Sequence, residues 1–369
     1  MHQRRALSSA GISRLRWASV LGAGLAALLV LVHPVTAQLP APAVTAGAPF
    51  VWGGYASVTF NRPTRPTVDG KRYDVSELAA ALMAWGEIST RASYFVEMDM
   101  AKRTYETWTG REAEHDLIPV RLYLEYAAND LLRLRVGRFL TPIGQWNEIH
   151  AEPLTWTPMR PLATYRPFAK SLTGVLLAGE GSLKGHDTGY ALFWAPGLDF
   201  DNDIESSEES SFVQAVGARV ASEIHPDLYL GLSMAVLKRS RPLLLNDSLA
   251  EPVELEEDPV DRTLLGADLR WTSTRAEILA EGNWLFPNGE EPYEGGAYLL
   301  GALRLVGSLW GVGKGEVYSP VDGYQVTTGY AGLTYRHGPH LVVKVGHQFT
   351  SRYSHRVPDG WFVSFSSLF

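Results

Sequence analysis

The fold of this chain is decided by residues 131–174, which open with LLRLRVGRF and continue as LTPIGQWNEIHAEPLTWTPMRPLATYRPFAKSLTG. The opening nine residues alternate, with apolar side chains on one face and Arg133 and Arg135 on the other, as in a half-buried strand. The five prolines that follow exclude both a long helix and a central strand. Four aromatic residues in the same part argue against disorder. We therefore predict a long ordered loop, residues 140–170, between two strands.

The start of the chain has the pattern of an export signal. Basic residues precede an apolar stretch, residues 18–32, and the small residues VTA stand just before Gln38. The apolar stretch is shorter than the roughly 20 residues of a transmembrane helix. We therefore expect a signal peptide over residues 1–37 rather than a membrane anchor, then a short periplasmic leader, residues 38–50, and a β-barrel domain over residues 51–369.

Charge and cysteine content narrow the possible classes. The chain has 33 Lys and Arg against 40 Asp and Glu, and loss of the predicted signal would remove four of these basic residues, all arginines. An acidic chain without a basic patch does not suit nucleic acid. Cysteine is absent, so stability must come from burial, from a closed hydrogen-bond network or from a non-aqueous solvent.

The last ten residues, GWFVSFSSLF, predict a terminal strand with Trp361, Val363, Phe365 and Phe369 on one side. This end resembles the C-terminal signal of bacterial outer-membrane barrels, whose final aromatic residue is read by the barrel assembly machinery. The resemblance implies that Phe369, Phe365 and Val363 serve as an assembly signal.

The rest of the chain consists of short segments with alternating hydrophobicity. The segment VSELAAALMAW, residues 75–85, also suits a helix, and we interpret it as a strand. The predicted strands are 51–61, 75–89, 91–103, 117–127, 131–139, 171–183, 188–195, 211–223, 227–238, 262–272, 274–286, 293–306, 308–319, 324–336, 340–351 and 360–369.

The connections between these strands alternate in length. Long or irregular connections, such as 104–116 and 140–170, take turns with connections of one to four residues along the whole chain. Short turns on one side and long loops on the other are typical of outer-membrane barrels. We predict an all-β fold: a transmembrane antiparallel up-and-down barrel of about 16 strands, with apolar side chains towards lipid and charged ones towards a wet lumen.

A family resemblance agrees with this fold. The segments VGRFLTPIG, residues 136–144, and YFVEMD, residues 94–99, resemble motifs of the phosphate-selective porins and related sixteen-stranded trimeric porins. The resemblance implies an outer-membrane homotrimer that passes small hydrophilic solutes and ions, including anions such as phosphate. It also implies that the third long loop folds into the lumen.

From this loop and the nearby wall we predict a pore constriction, because rings of charge are how pores select ions. The alternative is that the wall arginines only pair with Glu97, Asp99 and Glu125 on neighbouring strands. The predicted constriction residues are Arg121, Arg133, Arg135, Glu148, Glu152, Arg160, Arg166 and Lys170.

Other functions remain open from sequence alone. Two acidic loops, residues 199–209 and 251–261, could bind cations that bridge lipopolysaccharide or could form a solvated rim. A barrel that acts as an adhesin or structural anchor through these loops is the second hypothesis, and a soluble secreted β-protein is the third. No catalytic set, metal site or cofactor motif is apparent in the sequence.

Overall fold

The computed structural model describes residues 50–65, 74–106, 110–197, 212–239, 260–287, 293–320, 324–338, 340–352 and 357–369. Sixteen strands form one closed antiparallel barrel in which each strand pairs with its neighbours in sequence, and the first pairs with the last. The predicted fold class is confirmed. The strands are β1 Val51–Arg62, β2 Asp74–Ser89, β3 Ala92–Glu106, β4 Arg111–Asn129, β5 Leu132–Leu140, β6 Ser171–Leu183, β7 His186–Ala195, β8 Phe212–His225, β9 Leu228–Arg239, β10 Val260–Thr272, β11 Ala276–Pro287, β12 Glu294–Val306, β13 Leu309–Ser319, β14 Val326–His337, β15 Leu341–Thr350 and β16 Gly360–Leu368.

The turns at one end of the barrel are tight. Only two or three residues separate β2 from β3 and β4 from β5, and the same holds for every later even-numbered strand and the strand that follows it, up to β14 and β15. In the β6–β7 turn, Lys184 and Gly185 both have positive φ, 53° and 84°, as a two-residue hairpin of the I′ type requires. The connections at the other end are longer, so the predicted alternation is present.

The two faces of the strands differ as the pattern predicts. Leu124, Leu265 and Leu299 point outward and are exposed, whereas Asp268 and Lys344 point inward and are buried. A continuous apolar exterior around a closed sheet fits a lipid solvent, because closure leaves no unpaired backbone edge.

Closure of the barrel occurs at the terminal strand. The backbone of Phe369 exchanges two hydrogen bonds of 3.0 Å with Gly54 of β1. A Cβ atom on Gly54 would lie 2.1 Å from the Ala81 carbonyl oxygen and 3.0 Å from the Phe369 ring. Glycine is therefore needed where the chain end meets the first two strands.

Residues 75–85 lie within β2, so the strand interpretation is correct and the helical one is wrong.

Strands β3 and β4 are longer than predicted. Strand β4 begins at Arg111 rather than at residue 117, and β3 continues to Glu106. The predicted loop 104–116 is thus too long. Residues 104–116 are rich in charged side chains, but the part of a strand that extends beyond the membrane can be polar on both faces.

The lumen is less polar than predicted. A cluster of buried apolar side chains joins the base of the long loop to the inner wall between β5 and β11. Phe139, Ile143 and Phe168 pack there against Leu264 and Leu285, which are fully buried. The expectation of a charged, wet inner face is therefore wrong for this part of the wall, because the loop covers it and apolar burial stabilises that contact.

Some predictions lie outside the described residues. These are the signal peptide over residues 1–37, nearly all of the leader over 38–50, the acidic loop 199–209 and most of the acidic loop 251–261. In the described part of the chain, no helix is long and apolar enough to cross a bilayer.

Candidate functional site

The connection after β5, residues 141–170, crosses the interior of the barrel. It contains two short 3-10 turns, Glu152–Leu154 and Leu162–Thr164, and its residues contact the inward side chains of strands on opposite sides of the barrel. The five prolines explain why the loop has no longer regular element. We call this segment the lumen loop.

The first part of the lumen loop is fixed to β11. The backbone N–H groups of Gln145 and Trp146 each donate to Glu281 Oε2 at 3.0 Å, and Asn283 Nδ2 donates to Glu281 Oε1 at 2.8 Å. Gly144 has φ 67°, and a Cβ atom there would lie 1.8 Å from Glu281 Oε1. Glycine at this position therefore lets the backbone approach the carboxylate closely enough for both hydrogen bonds.

The tip of the loop is held by β15 on the far wall. Lys344 Nζ, fully buried, donates to Glu152 Oε1 and Thr155 Oγ1 at 2.8 Å each and to the Glu152 carbonyl at 2.7 Å. Ser364 Oγ donates to the same Glu152 Oε1 at 2.9 Å. Burial raises the pKa of Glu152, and the Lys344 ammonium opposes that shift.

Two contacts on β3 secure the remaining part of the loop. His150 Nε2 lies 3.0 Å from Glu97 Oε1, and Lys170 Nζ lies 2.9 Å from Asp99 Oδ2. Glu97 also pairs with Arg121. Glu97, Asp99 and His150 have the side chains of a metal site and lie close together. Because both carboxylates are already paired with cations, we assign no metal to them.

The three predicted wall arginines lie on the inner face and each is paired with a carboxylate. Arg121 pairs with Glu97, Arg133 with Glu180 and Arg135 with Glu125. For Arg121 and Arg135 these are the neighbouring-strand partners that the sequence left as the alternative. Pairing reduces the net field of the arginines but leaves their side chains accessible from the lumen, at 21 to 30% exposure.

Three predicted cations of the lumen loop do not project freely into the lumen. Arg160 is half-buried and donates to Asn147 Oδ1 and Thr164 O at 2.8 and 2.5 Å. Arg166 is buried beside Tyr165. Lys170 is occupied by Asp99. The geometry gives these three side chains a role in holding the loop together.

Glu148 differs from the other acidic residue of the loop because its side chain is 51% exposed. It lies 3.8 Å from Arg219 Nε on β8, and Arg219 in turn donates to both oxygens of Asp268 at 2.5 and 2.9 Å. Partial burial raises the pKa of Glu148, and Arg219 opposes this shift. Glu148 and Arg135 are close enough to interact electrostatically.

Sequence reasoning missed the residues that hold the loop. Glu281 and Lys344 were recognisable from the alternation of the strands only as inward charges. Their roles as contacts of the loop had no sequence signal, because Glu152 and Lys344 are 192 positions apart. A second missed feature is a group of aromatic residues where the loop meets β12–β14, with Trp146 and Trp156 from the loop.

The predicted assembly residues lie on β16 or directly after it. Val363 and Phe365 are half-buried on the outer face and pair in register with Val345 and Val343 of β15. Phe369 follows the strand and pairs with Gly54. Their role in assembly stays a prediction.

Comparison with solved structures identifies this architecture as that of bacterial porins. OmpF of Salmonella typhi, in complex with daunomycin, is 15% identical, with a TM-score of 0.57 over 87% of this chain and 97% of that chain. An anion-selective porin from Comamonas acidovorans is 12% identical, with a TM-score of 0.56 over 87% and 99%. A loop-deletion variant of OmpT, an outer membrane protein of Vibrio cholerae, is 10% identical, with a TM-score of 0.54 over 87% and 99%.

The predicted resemblance to porins is thus confirmed at the level of the fold. At such low identity the likeness shows the fold alone, and it does not single out the phosphate-selective family. No family model matches the sequence, and no curated protein matches it.

Proposed function

We propose that this protein is a passive diffusion channel of the bacterial outer membrane for small hydrophilic solutes and ions. One observation carries the proposal. The lumen loop crosses the barrel, and accessible charges remain both on the loop, at Glu148, and on the wall, at Arg121, Arg133 and Arg135. Charged rims in a low-dielectric passage focus the field that a permeating ion meets.

Anions such as phosphate remain part of this proposal as permeating solutes. The carboxylate partners of the wall arginines weaken any anion preference, so the selectivity depends on whether Glu148 or Arg135 dominates the field at the narrowest point.

The proposed partners are outer-membrane lipid and lipopolysaccharide, the barrel assembly machinery and two further copies of the chain in a homotrimer. Crosslinking in intact outer membranes tests the trimer.

Single-channel recording in a planar bilayer tests the proposal directly. The purified mature barrel should give stepwise, ohmic current increments, and a salt gradient should give a reversal potential that reports ion preference. A folded barrel that inserts without any conductance would refute the channel and favour the alternative of an adhesin or structural anchor. Purification as a stable monomer without detergent would refute the membrane location.

A further inference from the structure

A pocket lies between the lumen loop and the wall, with Trp146, Ile149 and Trp156 contributed by the loop. Its volume is about 210 Å³. A cavity of this size has room for more than a single water molecule and suits a small solute. The side chains that define its character are Trp146, Trp156, Leu279, Tyr298, Arg270 and Glu277.

Arg270 supplies the positive charge of this pocket. Unlike Arg121, Arg135 and Arg219, which each have a carboxylate partner, Arg270 has no carboxylate within 4.0 Å in the described part of the chain. Glu148 is the nearby loop carboxylate that interacts with it electrostatically over a longer distance. Its guanidinium lies 5.5 Å from the centre of the Tyr229 ring. A half-buried guanidinium with its donors available is a binding site for a carboxylate, which it holds through two parallel hydrogen bonds.

Glu277 does not neutralise this cation. Its Oε2 accepts a hydrogen bond of 2.9 Å from Trp156 Nε1, which directs the carboxylate towards the loop. The negative charge of Glu277 disfavours a second carboxylate in the same pocket. The ligand that fits is therefore an anion with a single carboxylate.

The aromatic residues give the pocket an apolar wall without an open stacking surface. Arg336 lies over Trp156 at 4.0 Å from the ring centre, and Trp310 packs on the same indole at 4.9 Å. Trp146 meets Tyr298 edge to face, with ring planes at 87°. Because neighbours occupy these ring faces, the wall suits the hydrocarbon part of a ligand better than the flat face of a sugar.

We propose that this pocket binds a small monocarboxylate with an apolar body, with the carboxylate on Arg270 and the hydrocarbon part against Trp146, Leu279 and Tyr298. The inference rests on the proposed channel, because it names a class of solute that would pause beside the loop. The apolar wall excludes water, and the lower local dielectric strengthens the interaction between Arg270 and the carboxylate.

Isothermal titration calorimetry of the detergent-solubilised mature barrel tests the pocket. The three probes are cyclohexanecarboxylate, which has both features, cyclohexylmethanol, which lacks the charge, and acetate, which lacks the apolar body. We expect cyclohexanecarboxylate to bind at least tenfold more tightly than either of the others. Equal affinities in the wild type would overturn the proposal before any variant is made.

Two variants locate the binding. Arg270→Gln should reduce the affinity for cyclohexanecarboxylate at least tenfold and leave cyclohexylmethanol unchanged. Arg275→Gln, in the exposed turn before β11, is the matched control and should bind as the wild type does. Wild-type affinity in folded Arg270→Gln would overturn the assignment.

The outcome is separable from that of the channel proposal, because calorimetry does not require conduction. A conducting barrel that does not distinguish the three probes contradicts only the pocket. A barrel that binds the acid but never conducts contradicts only the channel.

Discussion

Removal of the Lys344 ammonium should free the tip of the lumen loop while leaving the barrel closed. Lys344→Met keeps the length and apolar stem of the side chain and removes the cation. The ammonium makes contacts of 2.7 to 2.8 Å with Glu152 and Thr155 and is fully buried. Removing one partner of such a buried pair costs about 3–5 kcal/mol.

The cost falls on the docked loop rather than on the sheet, because Lys344 still pairs through its backbone with Thr334 and Ser364. At about 1.4 kcal/mol for each factor of ten, the population with a detached tip should rise by a hundredfold or more. Barrel closure, measured by the electrophoretic shift between unheated and heated samples, should be retained.

Limited chymotrypsin digestion measures the detached population. Trp156, Tyr165 and Phe168 are cleavage sites within the loop, none of them followed by proline, and cleavage that is slow relative to reclosing follows the open population. Ser364→Ala is a graded control. It removes one hydrogen bond of 2.9 Å to Glu152, worth about 1 kcal/mol, and should raise cleavage about fivefold. Conductance should also rise and become noisier in Lys344→Met. Cleavage and conductance equal to the wild type would contradict the docking.

Three further predictions concern the pore, the lipid face and the chain end. Glu148→Lys should shift the reversal potential towards anions, and Arg135→Gln towards cations; wild-type potentials in both would remove these residues from the constriction. Leu299→Arg, near the middle of β12 on the outer face, should cost about 2–4 kcal/mol in refolding titrations into lipid vesicles, whereas Leu305→Arg near the turn should cost about 0–1 kcal/mol; equal costs would argue against the lipid solvent. Deletion of Phe369 should lower the surface level of the protein while detergent-refolded barrels remain normal; an unchanged level would make the terminal aromatic incidental to assembly.

The fold was predictable because its signals are local and repeated. Alternation in segments such as residues 131–139 fixes which side chains face outward, and the tight turns fix which strands are neighbours. The same local interpretation failed near Arg111, where residues 104–116 were predicted to be a loop although both faces of an extended strand can be polar.

The partners within the lumen could not be predicted in the same way. Strand parity places Glu281 and Lys344 on the inner face, but their heights depend on strand tilt and stagger, which alternation does not determine. The apolar packing of Ile143 and Phe168 against Leu264 was hidden for a related reason. Alternation shows that a leucine faces inward, but it does not show whether a loop packs against that leucine.

The contacts of the lumen loop explain how a long proline-rich segment stays ordered without any disulfide. Glu281 fixes the first part through two backbone hydrogen bonds, Lys344 fixes the tip, and an apolar cluster buries the base. None of these anchors is the exposed carboxylate of Glu148, so the groups that position the loop differ from the group that presents charge to the passage. Changes at Lys344 should therefore alter conductance through the shape of the pore, whereas changes at Glu148 should alter selectivity at nearly constant conductance. If a variant of Glu148 changed conductance and chymotrypsin sensitivity together, Glu148 would also help to position the loop, and this division of roles would be wrong.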